Sequence, residues 1–269
     1  MELEDNSSRI NYLYKTVAQG KPASLWLNLG FWANTRKVQS ACLELFDQTI
    51  SSLNIKKDSK ILDAGFGYGV QDIHLAKKFP GCHITGVNLV DFQIDIAKTL
   101  VVENRLEERV LLLNKDATAT SFDSCQFDFI IAIESAFHFN TRESFFKEAF
   151  RLLKPGGRIA IADCLPPENF ILDKEFKDVA SKMVIPLENY YDIIGYKKIM
   201  MSKGFKNVIT KDITNDVLPD AAKEMFGTGG WRSSETISRV SAQTSNEELL
   251  DKLIKVTTIG KYYIVTADK

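Results

Sequence analysis

Residues 61–69 read ILDAGFGYG, and this stretch decides the fold. Its apolar start predicts a short buried strand over residues 60–64. Glycines follow at every second position, Gly65, Gly67 and Gly69, and an apolar stripe with helical spacing begins at residue 70. Glycines between a strand and a helix let a ligand come close to the backbone, and the first amides of the helix attract a negative group. The stretch therefore predicts a ligand-binding turn in an α/β domain.

The alternation of apolar strands and amphipathic helices continues outward from this turn. Further strands are predicted over residues 83–89, 109–113, 127–133, 158–162, 205–211 and 262–266. Strands that are apolar on both sides and separated by helices indicate a parallel sheet covered on both faces. No crossover helix clearly adjoins the last strand, so we expect that strand to run antiparallel. The predicted fold class is α/β, a three-layer Rossmann-like arrangement.

The chain divides into an N-terminal part and one large domain. We predict a helical lid over residues 1–50 and the Rossmann-like domain over residues 51–269. Acceptor-binding insertions are expected around residues 165–204 and 213–258, and the second contains a glycine-rich run and Trp231 that suggest a mobile lid. Parallel sheets bind ligands beyond the carboxyl ends of their strands, so the residues after each strand are the site candidates.

The composition excludes several classes of function. The chain of 269 residues has 34 Lys and Arg against 35 Asp and Glu, so the positive field of a nucleic-acid-binding protein is missing. The four cysteines form no CxxC pair and the three histidines lack ligand spacing, so no metal site is expected. Neither a signal peptide nor an apolar run of membrane length is visible, which predicts a cytoplasmic protein without a membrane span.

A dinucleotide site is one alternative for the glycine turn. Such a site needs the spacing GxGxxG and a carboxylate after the second strand. This chain has Val70 in place of the third glycine and Asn88 at the end of the second strand. Asp63 also puts a carboxylate beside the turn, and a carboxylate suits an ammonium better than a pyrophosphate. A nicotinamide-dependent oxidoreductase is therefore disfavoured, and a ligand without phosphate is favoured.

Four motifs, in order along the chain, resemble those of the class I S-adenosylmethionine-dependent methyltransferases. They are DAGFGYG at residues 63–69, GVNL at residues 86–89, KDA at residues 115–117 and LLKPGG at residues 152–157. The resemblance is specific over about residues 55–165. It implies an enzyme with a seven-stranded sheet, an antiparallel last strand and S-adenosyl-L-methionine as its cofactor.

The resemblance also implies cofactor-binding roles. Gly65 and Gly67 would pass beneath the methionine part of the cofactor, and Asp63 would orient its polar end. Asp116 would accept a hydrogen bond from the amino group of adenine, beside Ala117. A polar loop after the third strand without a ligand is the alternative for these last two residues.

The end of the second strand resembles a small-molecule subgroup that includes tocopherol, phosphoethanolamine, natural-product sugar and cyclopropane-lipid methyltransferases. Asn88 stands where the class usually has an acidic residue for the ribose hydroxyls, and an amide still accepts and donates there. Leu89 and Gln93 complete this motif. In the subgroup, N-terminal helices close over the cofactor, so Tyr12 and Trp32 are candidate lid residues with faces suited to a sulfonium. Core packing is the alternative for both aromatic residues.

Catalytic groups are expected at two strand ends. His138 lies just past the fourth strand and Asp163 ends the fifth. We predict His138 as the general base and Asp163 as the carboxylate that orients its imidazole, a pair similar to that of natural-product sugar O-methyltransferases. A histidine that only lines an aromatic pocket is the alternative. Glu134 either contacts the cofactor or acceptor, or caps the following turn.

The predicted activity is O-methylation of a hydroxyl on a small natural product or secondary metabolite. Phe66, Phe137 and Phe139 favour an apolar or aromatic acceptor. C-methylation of a prenyl or lipid alkene and N-methylation are alternatives, and so is a non-enzymatic binder that kept the fold. The expected partner is a small-molecule acceptor, not nucleic acid or a membrane, and a homodimer is the candidate assembly.

Overall fold

The computed structural model describes residues 6–17, 25–226 and 260–269. Two helices precede the sheet, α1 (Asn6–Val17) and α2 (Val38–Ile50). The elements that follow are β1 (Lys60–Ala64), α3 (Val70–Lys78), β2 (His83–Asn88), α4 (Asp91–Glu103), β3 (Val110–Asn114), β4 (Phe127–Ile133), α5 (Arg142–Leu152), β5 (Leu153–Leu165), α6 (Lys174–Lys182), α7 (Ile193–Ser202), β6 (Lys206–Asp212), α8 (Thr214–Phe226) and β7 (Lys261–Asp268). Short 3₁₀ turns lie at Ala136–His138 and Leu187–Asn189.

The seven strands form one sheet in the order β3-β2-β1-β4-β5-β7-β6. The pairs β1–β2, β1–β4, β2–β3 and β4–β5 are parallel, whereas β7 is antiparallel to both β5 and β6. The predicted three-layer α/β fold and its antiparallel last strand are confirmed. Because the chain order reverses between β1 and β4, the carboxyl ends of these two strands form the switch point where such sheets bind ligands.

Alternate residues of the strands fill two separate cores. On β1, Ile61 packs into the core shared with α2, α3 and α4, and Leu62 packs into the core shared with α5 and α7. Successive strand residues point to opposite faces, so Asp63 lies on the same side as Ile61. Its carboxylate is fully buried between the sheet and α3.

Helix α1 is fastened to the carboxyl edge of the sheet. The Asn11 side-chain amide donates to the Leu89 carbonyl at 2.6 Å, and its oxygen accepts from the Asp91 amide at 3.0 Å. Ile10 packs against Val90 and Val184. Helix α1, which lies within the predicted lid, therefore covers the end of β2. Each helix in the described part of the chain is too short or too polar to cross a membrane.

The predicted insertions are described only in part. Helices α6 and α7 occupy residues 165–204, as expected, and α8 begins the second insertion. The glycine-rich run and Trp231 lie outside the described residues.

Candidate functional site

A pocket opens at the carboxyl edge of the sheet, between the ends of β1 and β4. It encloses about 910 Å³, including its open mouth. Of the predicted site residues, it brings together Gly65, Gly67, Asn88, Leu89, Gln93, Asp116, Ala117, Glu134 and His138. Tyr12, Trp32, Asp63 and Asp163 are not part of its wall.

The glycine turn comes closer to its neighbours than any other residue type allows. Gly65 has φ +87°, and a Cβ added there would lie 2.4 Å from the Cβ of Ser135. Gly67 has φ +55°, and its Cβ would lie 3.0 Å from the Leu27 side chain. Both conformations are in the left-handed region, which disfavours side chains. The turn thereby presents bare backbone to the pocket.

One end of the pocket is lined by amide and carboxylate groups. Asn88 Nδ2 donates to Gln93 Oε1 at 2.9 Å, and Asn88 Oδ1 accepts from the Leu89 amide at 2.9 Å. Gln93 Nε2 is buried, and no residue of the described segments accepts its hydrogen bond. Asp116 Oδ1 accepts from the amide and hydroxyl of Thr118 at 2.7 and 2.8 Å, which leaves Oδ2 available.

These features fit the cofactor that the sequence predicts. A buried donor without a protein acceptor is rare and calls for a ligand, and Gln93 offers one beside Asn88. The glycine turn provides the close backbone approach, and Asp116 keeps an acceptor oxygen for an amino group. Asn88, Gln93 and Asp116 would thus hold the nucleoside, and the glycine turn would hold the aminocarboxyl part.

Asp63 reaches the pocket only through another residue. Its Oδ2 accepts from Gln71 Nε2 at 2.5 Å, and Gln71 lines the pocket. Asp63 itself is not in the pocket wall, because the strand alternation turns its carboxylate into the core, and its predicted role in orienting the polar end of the cofactor stays a prediction. Sequence reasoning missed Gln71, although its place in the first turn of α3, after the glycines, could have indicated it.

The imidazole of His138 is neutral and presents one nitrogen to the pocket. Nδ1 lies 3.3 Å from the Val184 carbonyl, which only accepts, so Nδ1 carries the hydrogen. Nε2 then has a lone pair, which accepts from the Tyr14 hydroxyl at 3.3 Å. Burial lowers the pKa of His138 to about 4, so the ring stays uncharged near neutral pH.

The predicted pair of His138 and Asp163 does not form. Asp163 Oδ1 accepts from Arg142 Nη2 at 3.0 Å, and Oδ2 accepts from Arg142 Nε at 2.9 Å and from the Tyr196 hydroxyl at 3.3 Å. Asp163 points from β5 to the side of α5 and α7, where this ion pair is fully buried. Val184 takes the orienting position that we predicted for Asp163.

Both predicted lid residues lie outside the pocket. Tyr12 is 54% exposed, because the side of α1 that faces the pocket carries Ile10 and Tyr14, four residues apart. Trp32 is fully buried against Ala41 and Ala221, so the core-packing alternative is correct for it. Sequence reasoning missed Tyr14, which the helical spacing from Ile10 could have revealed.

Glu134 joins three parts of the chain at the end of β4. Its Oε1 accepts from the Leu29 amide at 2.7 Å and from the Tyr262 hydroxyl of β7 at 2.6 Å. Burial raises the pKa of Glu134 to about 7. The carboxyl group lines the pocket and can therefore hold or release a proton near neutral pH.

Asn189 holds the loop that carries His138. Its Nδ2 donates to the carbonyls of Phe137 and Phe139 at 3.0 and 2.8 Å, and its Oδ1 accepts from the Arg142 amide at 2.8 Å. The side chain is 1% exposed, and all these bonds are internal. Nothing in the local sequence around Asn189 indicates this role. In the described part of the chain, no cluster of three or more His, Cys, Asp or Glu side chains is placed to hold a metal.

The chain matches a family model described as a methyltransferase domain over residues 62–161. It is 30% identical over 226 residues to the erythromycin 3''-O-methyltransferase of Saccharopolyspora erythraea, a match that covers 79% of this chain and 73% of the relative. It is 33% identical over 174 residues to the sterol 24-C-methyltransferase erg-4 of Neurospora crassa, which covers 63% of this chain and 46% of the relative.

A solved structure with the same fold is the geranyl diphosphate C-methyltransferase of Streptomyces coelicolor A3(2), in complex with Mg²⁺, geranyl diphosphate and S-adenosyl-L-homocysteine. The TM-score is 0.76 at 18% sequence identity, and the match covers 98% of this chain and 97% of that structure. At this identity the similarity establishes the fold alone.

Proposed function

This chain belongs to the class I S-adenosylmethionine-dependent methyltransferases, and we propose that it methylates a hydroxyl of a small, apolar or aromatic natural product with His138 as the base. The observation that supports the proposal is the neutral imidazole of His138 in the wall of the pocket, with Nδ1 at the Val184 carbonyl and Nε2 accepting from the Tyr14 hydroxyl. The erythromycin 3''-O-methyltransferase matches this chain over 73% of its own length, and its name supports oxygen as the acceptor atom.

The bound cofactor supplies a methyl group on a positively charged sulfur, so alignment and exclusion of water matter more than strong acid or base chemistry. The cofactor would give up the methyl group from its sulfur and leave as a neutral thioether. The neutral ring of His138 would take the proton of the acceptor hydroxyl at Nε2, so that the methylated oxygen ends uncharged. The Val184 carbonyl holds Nδ1–H, which fixes the tautomer that this step needs. Asn189 keeps the loop of His138 in place.

The hydroxyl of Tyr14 indicates where the acceptor hydroxyl binds. It donates to His138 Nε2 at 3.3 Å, the hydrogen bond that an acceptor hydroxyl makes before it loses its proton. Tyr14 belongs to α1, so binding of an acceptor requires that α1 gives up this contact. Tyr14 then covers the bound acceptor from the N-terminal side.

The decisive experiment is a methyl-transfer assay with tritiated cofactor on phenols, sugars, amines and isoprenoids, followed by identification of the product. On the acceptor found, His138→Gln should lower kcat by about 100-fold or more, with the affinity for S-adenosylhomocysteine unchanged. Tyr14→Phe is the matched control, because it removes a hydroxyl beside the base and leaves the base intact. A His138→Gln enzyme with full turnover would refute the role of His138.

C-methylation of an alkene is the second candidate, favoured by Glu134. Attack by a carbon nucleophile leaves a proton that a base must remove, and Glu134 lines the pocket with a pKa raised to about 7 by burial. One of the similar proteins named above is a sterol C-methyltransferase. The product distinguishes the candidates, since a methyl group on carbon would make Glu134→Gln, rather than His138→Gln, the variant with the larger loss.

A further inference from the structure

Two buried carboxyl groups lie together beneath the glycine turn. Asp63 of β1 and Asp72 in the first turn of α3 are both fully buried, and their side chains are in hydrogen-bond contact. In the described part of the chain, no other side chain donates to Asp63 Oδ1 or to either oxygen of Asp72. Two charged carboxylates in hydrogen-bond contact would repel each other strongly in a site without water. One proton must therefore lie between them.

The proton belongs to Asp72. Asp63 already accepts from Gln71 Nε2 at 2.5 Å, a hydrogen bond that stabilises its charged form. Asp72 has no side-chain donor of this kind, and burial together with the neighbouring charge of Asp63 raises its pKa well above the ordinary range. Asp72 is therefore the donor and Asp63 the acceptor.

Other titratable groups on the surrounding elements have their own partners. The strands beside β1 place Gly86 and Ile131 opposite Asp63. On α3, His74 and Lys78 both contact Asp47 of α2, at 3.0 and 2.7 Å. Lys77 of α3 donates to Asn104, and Glu134 after β4 is held by Leu29 and Tyr262. None of these groups supplies the missing donor to the pair.

The pair acts on the pocket through Gln71. Because Nε2 of Gln71 is held by Asp63, its amide oxygen Oε1 is left for the pocket that Gln71 lines. An amide oxygen is an acceptor for an ammonium group. We propose that Asp72 is a positioning residue: it donates its proton to Asp63, Asp63 holds the Gln71 amide, and the Gln71 oxygen receives the ammonium of the cofactor. This inference depends on the cofactor alone and not on the acceptor or on His138.

The test compares two ligands by titration calorimetry. S-adenosylhomocysteine carries the ammonium, and 5′-methylthioadenosine has the same nucleoside and thioether without the aminocarboxyl part. Gln71→Leu and Asp72→Leu should weaken binding of S-adenosylhomocysteine about tenfold or more and leave 5′-methylthioadenosine within about twofold. Asp72→Asn should bind both ligands like the wild type, because its amide still donates to Asp63. Equal weakening for both ligands, or a loss in Asp72→Asn as large as in Asp72→Leu, would overturn the proposal.

A second measurement separates positioning from general support of the fold. Titrations near neutral pH in two buffers of different ionisation enthalpy count the protons released on binding of S-adenosylhomocysteine. The wild type and Asp72→Asn should release the same number of protons. In Asp72→Leu, Asp63 takes up a further proton in its dry site and releases it as the ammonium binds, so affinity should rise more steeply with pH than in the wild type. Weaker binding without this additional proton release would contradict the inference. If Asp72→Leu fails to fold, the affinities of Asp72→Asn and Gln71→Leu for the two ligands still test the proposal.

Discussion

At the scale of single residues, His138 links the site to the stability of the fold. Burial lowers its pKa from 6.5 to about 4. Between these pH values the unfolded chain binds a proton that the folded protein does not, so this group makes the folded state less stable as the pH falls. The effect is complete near pH 4 and amounts to roughly 3 kcal/mol.

We therefore expect His138→Gln to gain stability relative to the wild type as the pH falls from 6.5 to 4. Comparison of the two proteins cancels the opposite contribution of Asp63, Asp72 and Glu134, whose pKa values are raised. Urea denaturation over this pH range measures the difference. His83→Gln, at an exposed position at the start of β2, is the control and should run parallel to the wild type. Parallel curves for His138→Gln would contradict the buried, neutral imidazole.

Asp163 pairs with Arg142 and Tyr196 and not with His138, so we predict that its role is structural. Asp163→Asn leaves the Arg142 charge buried without its counter-charge, which should lower the free energy of unfolding by about 3–5 kcal/mol. Asp268→Asn breaks the half-buried ion pair with Arg158, at 2.6 Å, and should cost less than about 1 kcal/mol. Denaturant melts measure both losses. Affinity for S-adenosylhomocysteine should survive in folded Asp163→Asn, and its loss would place Asp163 in the site after all.

At the scale of elements, the glycine turn depends on space as well as on φ. Gly65 and Gly156 both have positive φ, +87° and +76°, but a Cβ on Gly156 would meet nothing within 4 Å. Gly156→Ala should therefore cost only the strain of about 1–2 kcal/mol. Gly65→Ala adds the clash with Ser135, about 1–3 kcal/mol more, and should also abolish binding of S-adenosylhomocysteine.

Denaturant melts and calorimetry on both alanine variants test this difference. Ser135→Gly in the Gly65→Ala background removes the clash and should return the loss to that of Gly156→Ala. A double variant as unstable as Gly65→Ala alone would show that strain, and not contact with Ser135, requires the glycine.

Elements were predictable where the signal is local. The predicted strands at 60–64 and 127–133 match β1 and β4 at both ends, because runs that are apolar on both faces mark buried parallel strands. Residues were less predictable where a partner is distant in sequence. The pairing of Asp163 with Arg142 and the hydrogen bonds of Asn189 to the loop of His138 depend on how α5 and the Leu187–Asn189 turn pack, which no local pattern encodes. Likewise, a tryptophan is equally compatible with a lid and with a core. The local sequence therefore could not show that Trp32 packs into the core.

At the scale of the whole molecule, α1 and residues 25–29 close the pocket from the N-terminal side. Asn11 binds the Leu89 carbonyl, Tyr14 binds His138, and Leu29 binds Glu134. Binding of the cofactor should therefore stabilise these contacts together, whereas an acceptor hydroxyl would replace the contact of Tyr14 with His138. The division of the chain at residue 50, a homodimer and a cytoplasmic location stay predictions from the sequence.

Saturation with S-adenosylhomocysteine should slow amide hydrogen exchange in α1 and raise the free energy of unfolding, by about 2.7 kcal/mol at a concentration 100 times Kd. Hydrogen–deuterium exchange read by mass spectrometry, with and without ligand, measures the first effect. Asn11→Ala should reduce the protection of α1 more than that of α5, which does not touch the pocket mouth. An exchange rate in α1 that is the same with and without the ligand would contradict the role of this helix as a lid.

The contact between Gly65 and Ser135 has a consequence for directed evolution of this enzyme. The glycine turn and the loop of His138 touch each other, so a larger residue at position 135 should disturb both at once. The backbone at Phe137 and Phe139 is instead anchored by Asn189, whatever side chains they carry. Libraries that keep Ser135 and diversify position 139, which lines the pocket, should yield new acceptor preferences with the same cofactor site.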